Sequence, residues 1–186
     1  MVNYMEVAIK QVGNKETDTN EIEYNDWYYG KHVKGNEYPW CCVFICWCLD
    51  QSRQLNLIKR KTNACRYFES DNADLEVIDM PRYGDVVTFK FNGSKVANHI
   101  GFVYKVEDDC MYTIEGNHNN EVAIVKRKLS SYHKCFRLTK TKIDPYILQS
   151  ILKLFGYDLL IDGKIGKETT KCIKSFMKEL DSLCMK

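Results

Sequence analysis

"YPWCCVFICWCLDQ", residues 38–51, sets four cysteines within eight positions, with a tryptophan on either side of the first three. Pro39 pushes Tyr38 toward an extended backbone and favours a helix start just after it. The run from Trp40 onward has helical length and no breaker, so an apolar helix is expected there. The open question is what its thiols are: metal ligands, disulfide partners, core filler, or filler with one nucleophile among them.

Composition narrows the choice. A chain of 186 residues with 45% hydrophobic and 12% aromatic content is one folded domain, or one domain with a small appendix. The net charge of +2 and pI near 8.0 are too balanced to imply a nucleic-acid partner. The longest apolar stretch is too short to cross a bilayer, so no membrane is expected. The start "MVNYMEVAIKQVGNKETD" has no basic segment followed by an apolar one, so the chain is expected to be made in the cytoplasm without a signal peptide. In a reducing compartment the default for each of the nine cysteines is a reduced, buried side chain. Zinc sites announce themselves as paired C-x-x-C ladders or Cys/His ladders. Cys41, Cys42, Cys46 and Cys48 share one segment with no second pair, so neither metal nor cofactor is expected. Cysteines within one helix pin nothing together, which argues against a disulfide framework. Core filler, with one reactive thiol, is what remains.

On the N-terminal side, "NYMEVAIKQV" (3–12) has helical spacing of Met5, Ala8, Ile9 and Val12, and Gly13-Asn14 is its stop. The polar stretch from Lys15 to Glu37 shows no steady period and reads as a long loop carrying Tyr24, Trp27, Tyr28 and Tyr29. From Pro81 onward the period changes to two. Segments 83–91, 96–106, 110–117 and 121–129 read as strands, with 134–140 as a fifth. Their short connections indicate an antiparallel sheet, and the whole is therefore α+β: helices first, sheet second. A basic and polar stretch near 139–145 precedes a helical tail. There Leu148, Ile151, Leu152 and Phe155 share one face, and Ile173, Phe176, Met177 and Leu180 share another. Domains are accordingly expected at 1–140 and 141–186.

A cysteine in the first helical turn gains from unpaired amides and the positive end of the dipole, both of which favour thiolate. Cys41 and Cys42 hold that position; Cys46 and Cys48 do not. Helix position alone leaves the first two undecided. The base expected beside them is His99 in "VANHIGFVYKV". If the hairpin loop after that strand has an odd number of residues, such as Asp108-Asp109-Cys110, His99 shares a sheet face with Glu115 and Asn117. Gly101 would then leave room for the helix to deliver its thiol. An even loop would swap the faces.

Taken in order, Trp40-Cys41-x-x-Phe44-Ile45-x-Trp47, "YGDVVTF", Asn98-His99-Ile100-Gly101-Phe102-Val103 and "TIEGN" resemble the CHAP domain, a family of cysteine- and histidine-dependent amidohydrolases and peptidases, over roughly residues 1–140. The resemblance implies a papain-like fold of the CHAP and NlpC type, with N-terminal helices on an antiparallel sheet, and hydrolysis of bacterial peptidoglycan. It places the nucleophile at Cys41, the general base at His99 and the orienting carboxylate at Glu115, with Asn117 assisting. Many members carry glutamine three residues before the cysteine as an oxyanion donor; this chain has Tyr38. Tyr38, Trp40, Trp27 and Tyr29 are expected to contact substrate, against the competing reading that the last two pack over the first helix. Some relatives carry calcium before the nucleophile. The spacing of Asp18, Asn20, Glu21, Glu23 and Asp26 fits a solvated acidic loop better.

The tail is similar to a shortened peptidoglycan-binding module of the three-helix type, through "LQSILKLFGY", "IDGKIGKETT" and "IKSFMKEL". Asp162-Gly163 is expected at its tight turn and Thr169 as the cap of its last helix. Together the two resemblances imply a wall-lytic enzyme of endolysin or autolysin type, released by a holin or by lysis. The alternatives are a cysteine amidase or effector acting on another amide, and a wall-binding protein with a weak or inactive catalytic half. The sequence is silent on oligomeric state.

Overall fold

The structure, a computed structural model, describes residues 3–138 and 145–184. It divides into two compact units, Met1–Thr139 and Lys140–Lys186. The first is α+β. Its centre is helix α3 (Cys41–Gln51), eight of whose eleven residues are buried, so the apolar run of the sequence wraps the whole cylinder rather than one stripe. Around it stand α1 (Tyr4–Lys10), α2 (Glu23–Tyr29) and α4 (Cys65–Asp71). Asn3 caps α1 by accepting from the Met5 amide at 3.1 Å. Met5 and Ala8 enter the core as the spacing predicts, but Val7 joins them while Ile9 and Val12 stay exposed. The stretch expected to be a loop contains α2, which ends on Gly30 in the left-handed region (φ 68°).

The sheet is antiparallel and six-stranded, in the order β1-β6-β2-β3-β4-β5. Its strands are β1 (Glu76–Val77), β2 (Val86–Phe89), β3 (His99–Glu107), β4 (Cys110–His118), β5 (Glu121–Lys128) and β6 (Lys134–Arg137). All five expected strands are present, shorter at five of their ten ends and one residue longer at the C-terminal ends of β3 and β4, and β1 is added. Residues 139–140 of the expected fifth strand lie outside the described residues. In "YGDVVTF", Asp85 is buried and takes two hydrogen bonds from Arg137, at 3.0 and 2.9 Å, tying the entry of β2 to β6.

Each sheet face has its own cluster. Val86, Ile100, Phe102, Ile114 and Phe136 pack with the helices; Val87, Phe89, Val103, Met111 and Cys135 form the second cluster on the reverse face. Gly116 belongs to the helix side: a Cβ there would meet Phe44 Cβ at 2.6 Å and Trp40 Cζ3 at 2.9 Å, so only glycine lets α3 lie this close to β4.

The β3–β4 hairpin turns through two residues, Asp108 and Asp109, because Glu107 pairs with Cys110. That is the even loop that would have swapped faces. A bulge corrects it. Val103 pairs with Thr113 and Lys105 with Tyr112, leaving Tyr104 as one extra residue on β3, and parity beyond it is restored. A second irregularity, between Glu115 and His118 on β4, holds Asn117 in the left-handed region (φ 58°).

The second unit has α5 (Pro145–Leu154) and α6 (Lys167–Cys184), with Leu152, Leu159 and Cys172 as its buried apolar residues among those described. Leu148, Ile173 and Phe176 pack partly against these, but Phe155 is 62% exposed. The Met177 and Leu180 side chains fall outside the described residues. Gln149, almost fully buried, explains the leucine-glutamine motif. Its Oε1 accepts from the Asp162 and Gly163 amides at 3.1 and 2.8 Å, and its amide donates to Asp162, Lys164 and Thr169. Thr169 therefore sits inside the first turn of α6 as a partner of Gln149, not as the cap.

Candidate active site

His99 opens β3, and its Nε2 lies 2.7 Å from Glu115 Oε2. Glu115 is fully buried. Burial alone would raise its carboxyl, but hydrogen bonds from His99 and then Arg127, with the His99 charge and Thr113 behind them, hold it at about 2. An ionised carboxylate only accepts, so His99 Nε2 carries a proton and the contact ties that nitrogen back. Gly101 serves this pair rather than the helix: a Cβ there would meet Glu115 Cγ at 2.8 Å. Arg127 on β5 donates through Nε and Nη2 to the two Glu115 oxygens at 2.9 and 2.6 Å. His118 Nδ1 stands 3.7 Å from Glu115 Oε2. His99, Glu115 and His118 offer ligand atoms within 4.8 Å of one another. Arg127 already covers both carboxylate oxygens with a fixed positive charge, so the group is an ion-pair network before it is a cation site.

Cys41 is the first residue of α3, as expected for a thiol meant to feel the helix dipole, and it is 7% exposed. Its side-chain partner is a thiol: Cys41 Sγ lies 3.7 Å from Sγ of Cys65, the first residue of α4. Hydrogen bonds from Cys41 and then Cys42 hold Cys65 well below the ordinary thiol range, and the His99 charge adds to this. The same contact, with burial, pushes Cys41 well above it. Both thiols open a helix, so the dipole does not separate them; their mutual contact and burial do, lowering Cys65 and raising Cys41.

The structure brings His99 and Glu115 together and Cys41 and Cys65 together. It does not join the two pairs by a hydrogen bond among the described residues. His99 is paired with Phe89 across β2 and β3, on the face opposite to the one α3 covers. This corrects the expectation that the helix approaches the imidazole across Gly101. Cys41 and His99 each stand at the head of their element, and the His99 field reaches Cys65.

The other expected residues separate. Asn117 turns out of the Glu115 cluster through its left-handed backbone and donates to Asn20 Oδ1 at 3.1 Å. Trp40 is fully buried, donates to Glu16 at 2.8 Å and packs on Gly116, so it is a core residue and not a substrate contact. Trp27 donates to Asp50 at 3.0 Å, and Tyr29 stacks edge-on with Tyr38 at 4.9 Å; all three rings are half-buried. In the acidic loop, His32 lies 3.0 Å from Glu21 and 3.2 Å from Asp26, and Lys34 binds Asp18. Beside Asn20 is a polar depression of 530 Å³ lined in part by Glu16, Asn20, Asn36 and Asn119. In the C-terminal unit a depression of 650 Å³ is lined by Ile165, Thr170, Lys171 and Lys174.

Sequence reasoning missed Cys65 and Arg127. "TNACRYF" gives Cys65 no distinguishing neighbour. Arg127 alternates in phase with Thr113 and Glu115, but only the β4–β5 register, which the sequence does not fix, shows it.

A thiol cluster at helix heads and an imidazole–carboxylate pair on an antiparallel sheet define a thiol-and-imidazole class of site on an α+β scaffold. Residues 33–117 match the family model of the CHAP domain. The match spans Cys41, Cys65, His99, Glu115 and Asn117, and supports a CHAP-domain protein of the cysteine- and histidine-dependent amidohydrolase or peptidase kind. Compared with curated proteins, the chain has no match.

Proposed function

We propose that the protein is a peptidoglycan hydrolase of endolysin type that cuts amide bonds of the bacterial wall. Residues 1–140 are the catalytic part and 141–186 a wall-binding part. The observation that carries the reading is the 2.7 Å contact of His99 with ionised Glu115 inside the segment that matches the CHAP domain. Glu115 holds the ring so that Nδ1 is free to act as base. The thiol of Cys41 gives up its proton to His99, the thiolate attacks the amide carbonyl, and amides at the head of α3 receive the oxyanion. His99 then protonates the leaving amine, and water releases the acyl group from sulfur. The half-buried rings of Trp27, Tyr29 and Tyr38 would contact the substrate, and the polar depression beside Asn20 suits a hydrogen-bonding polymer such as glycan or stem peptide. The lysine-lined face of α6 suits an anionic wall component. With synthesis in the cytoplasm, access to the wall would come through holin action or lysis. No helix among the described residues is long and apolar enough to cross a membrane.

A second reading puts the nucleophile at Cys65. It is favoured by the lowering of that thiol, first through its contacts with Cys41 and Cys42 and then through the His99 charge. Purified sacculi separate the readings. Cys41→Ala and His99→Ala should abolish clearing, while Cys42→Ala and Cys46→Ser keep it. Loss in Cys65→Ala with activity kept in Cys41→Ala moves the nucleophile to Cys65. A wild type that binds sacculi but never clears them leaves a wall-binding protein. Mass analysis of the digest identifies the amide from the new amine end.

A further inference from the structure

Glu115 has more partners than orienting one imidazole requires. Its buried carboxylate is approached from β3 by His99, from its own strand by Thr113 and His118, and from β5 by Arg127. Arg127 differs from the rest. It cannot lose its charge, and its planar fork matches both carboxylate oxygens, which fixes the plane of the carboxylate as well as its ionisation. The guanidinium also lies over Phe89 and Phe91, with its carbon 5.1 and 4.8 Å from the ring centroids. The same two rings flank His99 at 6.2 and 5.7 Å. Arg127 thus contacts the carboxylate that orients the imidazole and the rings that wall it in. It lies beyond residue 117, where the family match ends.

We propose that Arg127 is a positioning residue of the site, acting through Glu115 to hold His99 with Nδ1 presented and Nε2 tied back. The proposal rests on the reading of His99 as the base. A buried carboxylate facing only an imidazole would be drawn toward protonation by desolvation, and a protonated Glu115 could no longer fix the ring. Arg127 removes that escape.

The test uses the full chain on purified sacculi, with rates measured at saturating and at limiting wall concentration. Arg127→Met should lower kcat by about 10-fold or more with KM nearly unchanged, and should move the acid limb of the profile to higher pH. Arg127→Lys, which keeps a charge but not the fork, should hold the acid limb in place and restore part of kcat. In a Glu115→Gln background, Arg127→Met should cost less than about 2-fold more, because both changes break one unit. Full multiplication of the two losses, or an unshifted acid limb in Arg127→Met, overturns the proposal. If Arg127→Met does not fold, Arg127→Lys decides alone: wild-type kcat in it overturns the proposal. If the wild type shows no clearing that depends on His99, the functional reading has failed instead. Carbon-13 titration of the Glu115 carboxyl then tests the Arg127 linkage without turnover, and no upward shift in Arg127→Met sinks it.

Discussion

At the scale of the residue, Glu115 shows how a buried charge can support a fold. The carboxyl is held at about 2 against an ordinary 4.5, so its contribution is complete above pH 4.5 and is lost as the pH falls toward 2. The shift corresponds to about 3 kcal/mol. Thermal melts of the wild type should therefore fall steeply between pH 4.5 and 2. Glu115→Gln strands the Arg127 guanidinium, so it should be less stable at neutral pH and flatter across that window. Equal slopes for the two proteins would remove Glu115 as the source. This pairing was half legible in the sequence. Alternation put His99 and Glu115 in phase only for an odd loop; the loop is even, and neither the bulge at Tyr104 that restores the phase nor the register that brings in Arg127 is fixed by a local pattern. Likewise Cys41 was legible as the thiol at a helix head. Its partner Cys65 was not, because a lone cysteine carries no mark of what it meets in space.

At the scale of the element, legibility tracks length. Helix α3 and strands β2 to β6 announced themselves by a long apolar run and by alternation. Helices α2 and α4 have seven residues each and no side-chain cap at their N-termini, so nothing local distinguishes them from loop; tertiary packing makes them. Strand β1 has two residues and exists only through its pairing with β6. The contact of α3 with β4 is a strong test of the packing. Gly116→Ala should cost about 1–3 kcal/mol in chemical denaturation, because neither the Phe44 Cβ nor the Trp40 ring is a flexible end that can swing aside. Gly166→Ala, where nothing lies within 4 Å, should stay within about 0.5 kcal/mol of wild type. Similar losses at both sites would mean that the close approach to Phe44 and Trp40 does not govern Gly116.

At the scale of the molecule, the two units differ in what holds them. Met1–Thr139 contains two apolar clusters, one on each face of its sheet. Lys140–Lys186 has three buried apolar residues among those described and relies on the hydrogen bonds of Gln149 to close its turn. A piece of that size lies near the limit of independent folding. Calorimetry should show a cooperative transition for a fragment of residues 1–139 and none for a fragment of residues 140–186. A sharp transition in the smaller piece would show that its turn network suffices.

The extra residue at Tyr104 has a consequence for how this chain tolerates change in length. Between the hairpin tip and His99, the side of the sheet each residue faces is decided by counting, and Tyr104 is the unit that makes the count come out. Excising that one position would roll the whole outer half of β3 over: the imidazole would face the helices, and Ile100 and Phe102 would be stranded beside an arginine and a carboxylate. No side-chain exchange on the strand could do as much, so single-residue gaps there are a costlier kind of variation than any substitution.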